Sequence, residues 1–184
     1  MGNQILRTVG TQICFANHSG DFAPSGQLDL QQGTPGETQL TFTAATGGAR
    51  QSSKVNLGAQ RAPAYSVDAV LHWTTAPTIS TNVEFYWADS VDPTAGNGNV
   101  ALLTGVDAAY AGYATYADGL PQMTHIGNFT VAAYTAWPQI AHVGTFSPAC
   151  QYGMLVLVNL TGQSLSAYTS QMHTVLTPII DEVE

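Results

Sequence analysis

Charge is what this chain has least of. Asp, Glu, Lys and Arg make up 9% of its 184 residues, against roughly 25% in an ordinary globular protein. The four basic residues, Arg7, Arg50, Lys54 and Arg61, all fall in the first third. Beyond them stand Asp68, Glu84, Asp89, Asp92, Asp107, Asp118, Asp181, Glu182 and Glu184, with no Lys or Arg among them. So acidic a body repels phosphate, which argues against nucleic acid as its partner. Two readings stay open. The acidic excess serves solubility, or Arg50, Lys54 and Arg61 form a docking patch for an acidic partner.

Cysteine is nearly absent. Cys14 and Cys150 are the two in the chain, and the reading favours free buried thiols over a disulfide. No window approaches the ~20 apolar residues of a membrane span, so no membrane association is expected. Met1–Val9 lacks the apolar core of a secretory signal. Met1-Gly2 lacks the later Ser or Thr of a myristoylation site, Leu6 standing in its place. The sequons at Asn17, Asn128 and Asn159 are read as chance without a secretion signal.

Motifs that carry chemistry are missing as well. There is no Gly-x-Ser-x-Gly elbow, no His-Glu-x-x-His, no Cys-x-x-Cys pair and no phosphate loop. Of His18, His72, His125, His142 and His173, the last four fall on expected strands, each isolated in sequence; a metal site shared by two or three of them is the minor reading beside satisfied or surface histidines. Asp89, Asp92, Asn97 and Asn99 offer oxygen ligands, but at spacings that fail the EF-hand pattern. No catalytic, cofactor or metal residue is assigned. Tyr110, Tyr113, Tyr116, Tyr134 and Trp137 suit a sugar-stacking platform, packing beneath a long loop or a subunit contact.

What is present is strand signal. Met154–Val158 is an unbroken apolar run between Gly153 and Asn159, which reads as a buried strand. It does not alternate, so both its faces need cover. Met154, Val156 and Val158 are therefore candidate subunit contacts. Ala64–Asp89 reads as two strands with clean alternation. Val67, Ala69, Leu71 and Trp73 form one apolar row, and Val83, Phe85 and Trp87 another. Paired as a hairpin, they set Trp73 opposite Val83, Leu71 opposite Phe85, Ala69 opposite Trp87, and His72 opposite Glu84. Strands are also read at Gln39–Ala44, Gln51–Leu57, Met123–Ala133, Gln139–Phe146 and Gln171–Ile180. Asp89–Asn99 reads as a loop, and Thr104–Leu120 as an ordered loop with one helical turn. About eight strands predict an all-β fold, an antiparallel β-sandwich of jelly-roll type over 39–184. Residues 1–38 are turn-rich and read as an irregular N-terminal arm.

Four stretches carry a resemblance: FAPSGQLDLQQGTPGETQLTFTAATGGARQSSKVNLG from Phe22, EFYWADSVDPTAGNGN from Glu84, HIGNFTVAAYTAWPQIAHVGTFSPACQYGMLVLVN from His125, and the tail LTPIIDEVE. Together, over roughly residues 20–184, they resemble small virion structural proteins of tailed bacteriophages. The resemblance implies a component without enzymatic activity or cofactor, made in the host cytoplasm and placed on the virion. Size and β-content are similar to a capsid cement or decoration protein. Such a protein forms a homo-oligomer, commonly a trimer, on the major capsid protein. Arg7, Arg50, Lys54 and Arg61 are then candidate capsid contacts. A tail, neck or head-fibre component and a glycan-binding sandwich are the rival readings.

Overall fold

The computed structural model describes residues 5–17, 21–24, 26–42, 47–165 and 172–183, with 5–9 and 181–183 as backbone alone. These residues are all-β. The strands are β1 (Ile5–Val9), β2 (Ile13–Ala16), β3 (Gly36–Gln39), β4 (Ala49–Gln51), β5 (Val55–Asn56), β6 (Ala64–Leu71), β7 (Asn82–Ser90), β8 (Ala108–Tyr110), β9 (Thr124–Thr130), β10 (Gln139–Phe146), β11 (Tyr152–Asn159) and β12 (His173–Val183). One short helix, α1 (Tyr116–Gly119), lies between β8 and β9. Hydrogen bonds join the strands in the order β3-β2-β12-β6-β10-β9-β7-β11-β4-β8, with β1 on β12 and β5 on β11. Every pairing is antiparallel except β2 with β3. The strands beyond the expected eight are mostly very short, such as β4, β5 and β8.

The expected apolar rows are correct, but their pairing is not. Val67, Ala69, Leu71 and Trp73 are fully buried in one core together with Val83, Phe85 and Trp87. Yet β6 pairs with β10 and β12, while β7 pairs with β9 and β11. The two rows meet face to face across the core and not edge to edge. Alternation dictates which face a side chain takes, and it is silent on which strand lies alongside. The register that set His72 opposite Glu84 is therefore overturned.

The sheet closes on this core by curling at β9 and β10. β10 bulges at Val143, opposite β6, and β9 bulges at Ile126, opposite Phe85 and Tyr86 of β7. Bulges bend and twist a strand. At the bend, β9 and β10 share a single bridging pair, Gly127 with Gly144. A Cβ on Gly127 would overlap the Val143 carbonyl, and one on Gly144 the Ile126 carbonyl. Two glycines let the backbones cross where no side chain fits.

The described residues among the first 38 are not an arm apart from the domain. β1, β2 and β3 belong to the sheet, and Phe15 lies in the main core. Cys14, Ala16 and Val175 form a smaller cluster on the other face, beneath Phe22 and Leu30. Gln12 ties this region down, its Nε2 donating to Thr177 Oγ1 at 2.7 Å and its Oε1 accepting from Gln32 N–H at 2.5 Å. Frequent turn residues hid short strands whose partners are remote in sequence. The strand read over Gln39–Ala44 is corrected: β3 ends at Gln39 and residues 40–42 are not strand, although Leu40 and Phe42 are buried as expected; residues 43–46 lie outside the described residues.

Candidate functional site

The doubly apolar strand is covered on both faces by its own chain. Leu155 and Leu157 enter the main core. Met154, Val156 and Val158 point the other way and are 0% exposed. Their cover is the segment from Val100 to Met123. Ala101, Leu103 and Tyr110 are buried against them, with Tyr116, Leu120 and Met123 packed around. β8 fastens this segment to β4, aligning Tyr110 with Ala49 and Ala108 with Gln51. The Tyr110 hydroxyl donates to the Ala101 carbonyl at 2.9 Å. The Gln51 side chain bonds Thr104 at both its ends. The helix is held by a capping box between Thr115 and Asp118. Hydrogen bonds from Thr115 and Ala114 hold the Asp118 carboxyl below the usual carboxylate range. Met154, Val156 and Val158 are thus core residues, which corrects their reading as subunit contacts. The sequence showed that a cover was needed; it did not show that the Ala- and Tyr-rich segment supplies it.

The expected basic patch is likewise taken up inside the molecule. Arg50 donates to Asp107 Oδ1 at 2.9 Å, and the two side chains are 13% and 12% exposed. Asp107 also accepts from the Thr41 N–H at 2.9 Å and from the Thr41 hydroxyl. It therefore pins the cover segment to the strand region at 40–50. Arg61 reaches the carbonyls of Pro148 and Ala149. Lys54 Nζ donates to the carbonyls of Asp92, Thr94 and Asn97 at 2.8, 2.6 and 2.8 Å. Burial lowers its pKa, with Asp92 opposing. Arg7 aligns with Asp181 in the β1–β12 ladder, its side chain outside the described residues.

Lys54 is the centre of one end of the molecule. The loop after β7 folds over its ammonium, and Gly105 accepts its backbone N–H. Asp89 and Asp92, read as possible ion ligands, accept from the chain's own donors instead, Asp92 within this loop and Asp89 at the turn before β11. Asp89 Oδ1 accepts from Trp87 Nε1 and from the N–H groups of Ala149 and Cys150. Asp92 Oδ1 accepts from Thr94 N–H at 2.7 Å. Val91, Leu102 and Val106 stand exposed on the segment knitted around Lys54.

The other end of β7 carries a different surface. Three connections meet there: 72–81, 131–138 and 160–165. Trp73 N–H donates to the Ala136 carbonyl and Thr74 N–H to that of Ser164. Ser80 N–H reaches Val131, and Leu160 N–H reaches Asn82. From these loops and the adjoining start of β10, Ile79, Tyr134, Trp137, Ile140 and Leu160 project into solvent. Of the five aromatics considered from sequence, Tyr110 is buried, Tyr116 packs in the cover, and Tyr113 is exposed on the cover. Tyr134 and Trp137 are the most exposed, at 72% and 73%. Ile79, Ile140 and Leu160 were not singled out in sequence, because each neighbours a run that reads as strand.

Among the described residues, the polar cluster on β6 and β10 lacks the geometry of a nucleophilic triad. Ser66, Asp68 and His142 meet across β6 and β10, but Asp68 Oδ1 at 3.1 Å and Ser66 Oγ at 3.5 Å face the same His142 Nδ1. A nucleophilic triad needs the serine on one ring nitrogen and the carboxylate on the other. The His142 side chain is also 58% exposed. On the neighbouring strands Tyr86 donates to Glu84 at 2.8 Å and packs on His125, with ring centroids 5.0 Å apart. Burial, then the bond to Glu84, pushes the Tyr86 hydroxyl well above its usual pKa. Burial lowers the pKa of His72. Among the described residues no three His, Cys, Asp or Glu gather as metal ligands. Both cysteines are free, and burial pushes Cys14 up to about 12. Among the described residues no helix is long and apolar enough to cross a membrane. No protein-family model, curated protein or solved structure matches the chain.

Proposed function

We propose that this chain is a non-enzymatic structural component of a tailed-phage virion, a cement or decoration protein that sits on the head and grips the major capsid protein lattice. The single observation that supports this reading best is the two-ended shape. The outer face of β11 is covered by the chain itself and those of β9 and β10 are polar, while exposed apolar residues gather on loops at both ends of β7. From Asn82 to Ser90 the strand spans roughly 26 Å at ~3.3 Å per residue. A subunit that grips a surface with one end and displays the other needs that arrangement.

In this reading the lattice end is the one around Lys54, where Val91, Leu102 and Val106 protrude. Exposed apolar side chains grouped on a fixed loop are the common mark of a protein contact. Lys54 then acts by holding the loop and not by meeting an acidic partner. The curled sheet stands for the expected jelly roll, its two halves facing across one core. Trimerisation belongs to the same reading, through side surfaces of the sheet other than β11.

The test is occupancy on particles. Purified heads lacking the protein are incubated with wild type and with a Val91→Ser, Leu102→Ser, Val106→Ser triple variant, then imaged. The reading expects density on the outer shell for wild type and its loss for the variant. Density confined to tail or neck would transfer the protein to the rival location. Absence from virions altogether would end the virion reading.

A further inference from the structure

We propose that the loop end bearing Tyr134 and Trp137 is a binding site for a neutral saccharide. This inference does not depend on where, or whether, the chain sits on a virion. Trp73 and Trp87 are 0% exposed, whereas Trp137 is 73% exposed. The ring is not out in solvent because its loop is slack. Gln139 bridges the loop, its Oε1 accepting from Ala132 N–H at 2.9 Å and its Nε2 donating to the Ala133 carbonyl at 3.0 Å. Trp137 N–H donates to Thr135 Oγ1 at 3.1 Å, and the Ala136 carbonyl is held by Trp73 N–H. A pre-ordered loop loses little freedom on binding.

Charge defines the ligand class. From Gly119 to Ile180, and from Ala69 to Val83, the sequence holds no Asp, Glu, Lys or Arg. All three loops at this end fall in those stretches, so an otherwise acidic molecule presents an uncharged tip. Phosphates, sulfated or sialylated glycans and anionic lipid find no cation there. What it does present is two exposed aromatic rings, on an end whose converging segments also carry Thr78, Ser80, Thr130 and Gln163. Stacking surfaces beside hydroxyl and amide groups match the two halves of a sugar, its C–H face and its hydroxyls. Ile79, Ile140 and Leu160 stand exposed at the same end and extend the apolar surface on which a sugar's C–H face can lie.

Tryptophan fluorescence tests this directly, because Trp137 is the one exposed indole of the three. Maltohexaose, cellohexaose, chitohexaose and mannohexaose are titrated into the full chain. At least one is expected to shift the emission saturably, with a Kd of about 1 mM or tighter. Trp137→Ala should abolish the shift, and Tyr134→Ala should weaken binding by about tenfold. Tyr113→Ala, an exposed ring on the cover segment, should leave binding unchanged. Both rings are exposed, so these variants fold. The proposal is overturned if none of the four sugars gives a saturable shift. It is equally overturned if sugar-free sedimentation shows a dimer that Trp137→Ala dissolves, since the tip then serves a second copy. Trp137→Ala should load onto heads like wild type, which keeps this outcome separate from the capsid reading.

Discussion

Truncating Tyr110 asks whether β11 is covered by its own chain. The side chain is 5% exposed, packs over Met154, Val156 and Val158, and bonds the Ala101 carbonyl. Tyr110→Phe removes the hydroxyl and leaves that carbonyl unpaired, which costs about 1–2 kcal/mol. Tyr110→Ala removes the ring as well and opens a cavity over the strand, which costs about 4 kcal/mol. Against a total of ~5–15 kcal/mol for a typical domain, the second is a large fraction. Urea unfolding followed by far-UV circular dichroism reads both, as a shift in midpoint at constant slope. The decisive control is protein concentration. A cover supplied in the same chain makes the loss independent of dilution, whereas a cover from a second subunit makes the midpoint rise with concentration. A Tyr110→Ala loss below ~1 kcal/mol, less than its hydroxyl alone should cost, would refute this account of β11. So would a midpoint that climbs with concentration.

Other consequences can be checked separately. Gly127→Ala and Gly144→Ala each press a methyl onto a backbone carbonyl at the sheet bend, and each should lower stability by about 2–3 kcal/mol. Gly96→Ala, with open space around it, should be close to neutral in the same urea titration. Asp107→Ala strands Arg50 in a largely buried position and should cost about 3 kcal/mol, with the loss of protection in hydrogen exchange concentrated in 100–123. The Asp118 carboxyl has a folded pKa below its unfolded value. Its contribution is therefore complete above the unfolded pKa and disappears as pH falls through the folded one. Relative to the intrinsic exchange rate, protection of the α1 amides should fall in acid, and Asp118→Asn should flatten that dependence. Cys14, buried and raised to about 12, should resist a thiol reagent in the folded protein. Cys150 should react first, and both should react after unfolding.

Legibility followed the range of the interaction. The inward rows of β6 and β7 could be read because a strand's period of two is written in neighbouring residues. The loop after β7 was legible for the same reason, through Gly, Pro and Asn at short spacing; one helical turn was expected in Thr104–Leu120 without a position, and β8 within it gave no signal. The β6–β7 hairpin was not, since each strand found better partners far along the chain. The basic residues were visible, but their acceptors are mostly backbone carbonyls, which sequence does not distinguish. Asp107, the anchor of the cover, gave no signal beyond being a lone carboxylate in an Ala- and Gly-rich stretch. Trp137 and Tyr134 were visible as aromatics, and only the fold separated them from Tyr110.

Local pattern alone settled that this chain is all-β, that β11 must be shielded twice, and that its tip loops carry no formal charge. Tertiary structure decided what does the shielding, which strands lie side by side, and which rings reach water. Alternation and composition are properties of adjacent residues, and a single chain can express them without knowing its fold. Cover, pairing and exposure depend on surfaces brought together from distant segments, and they come into being only when the sheet bends at Gly127 and Gly144.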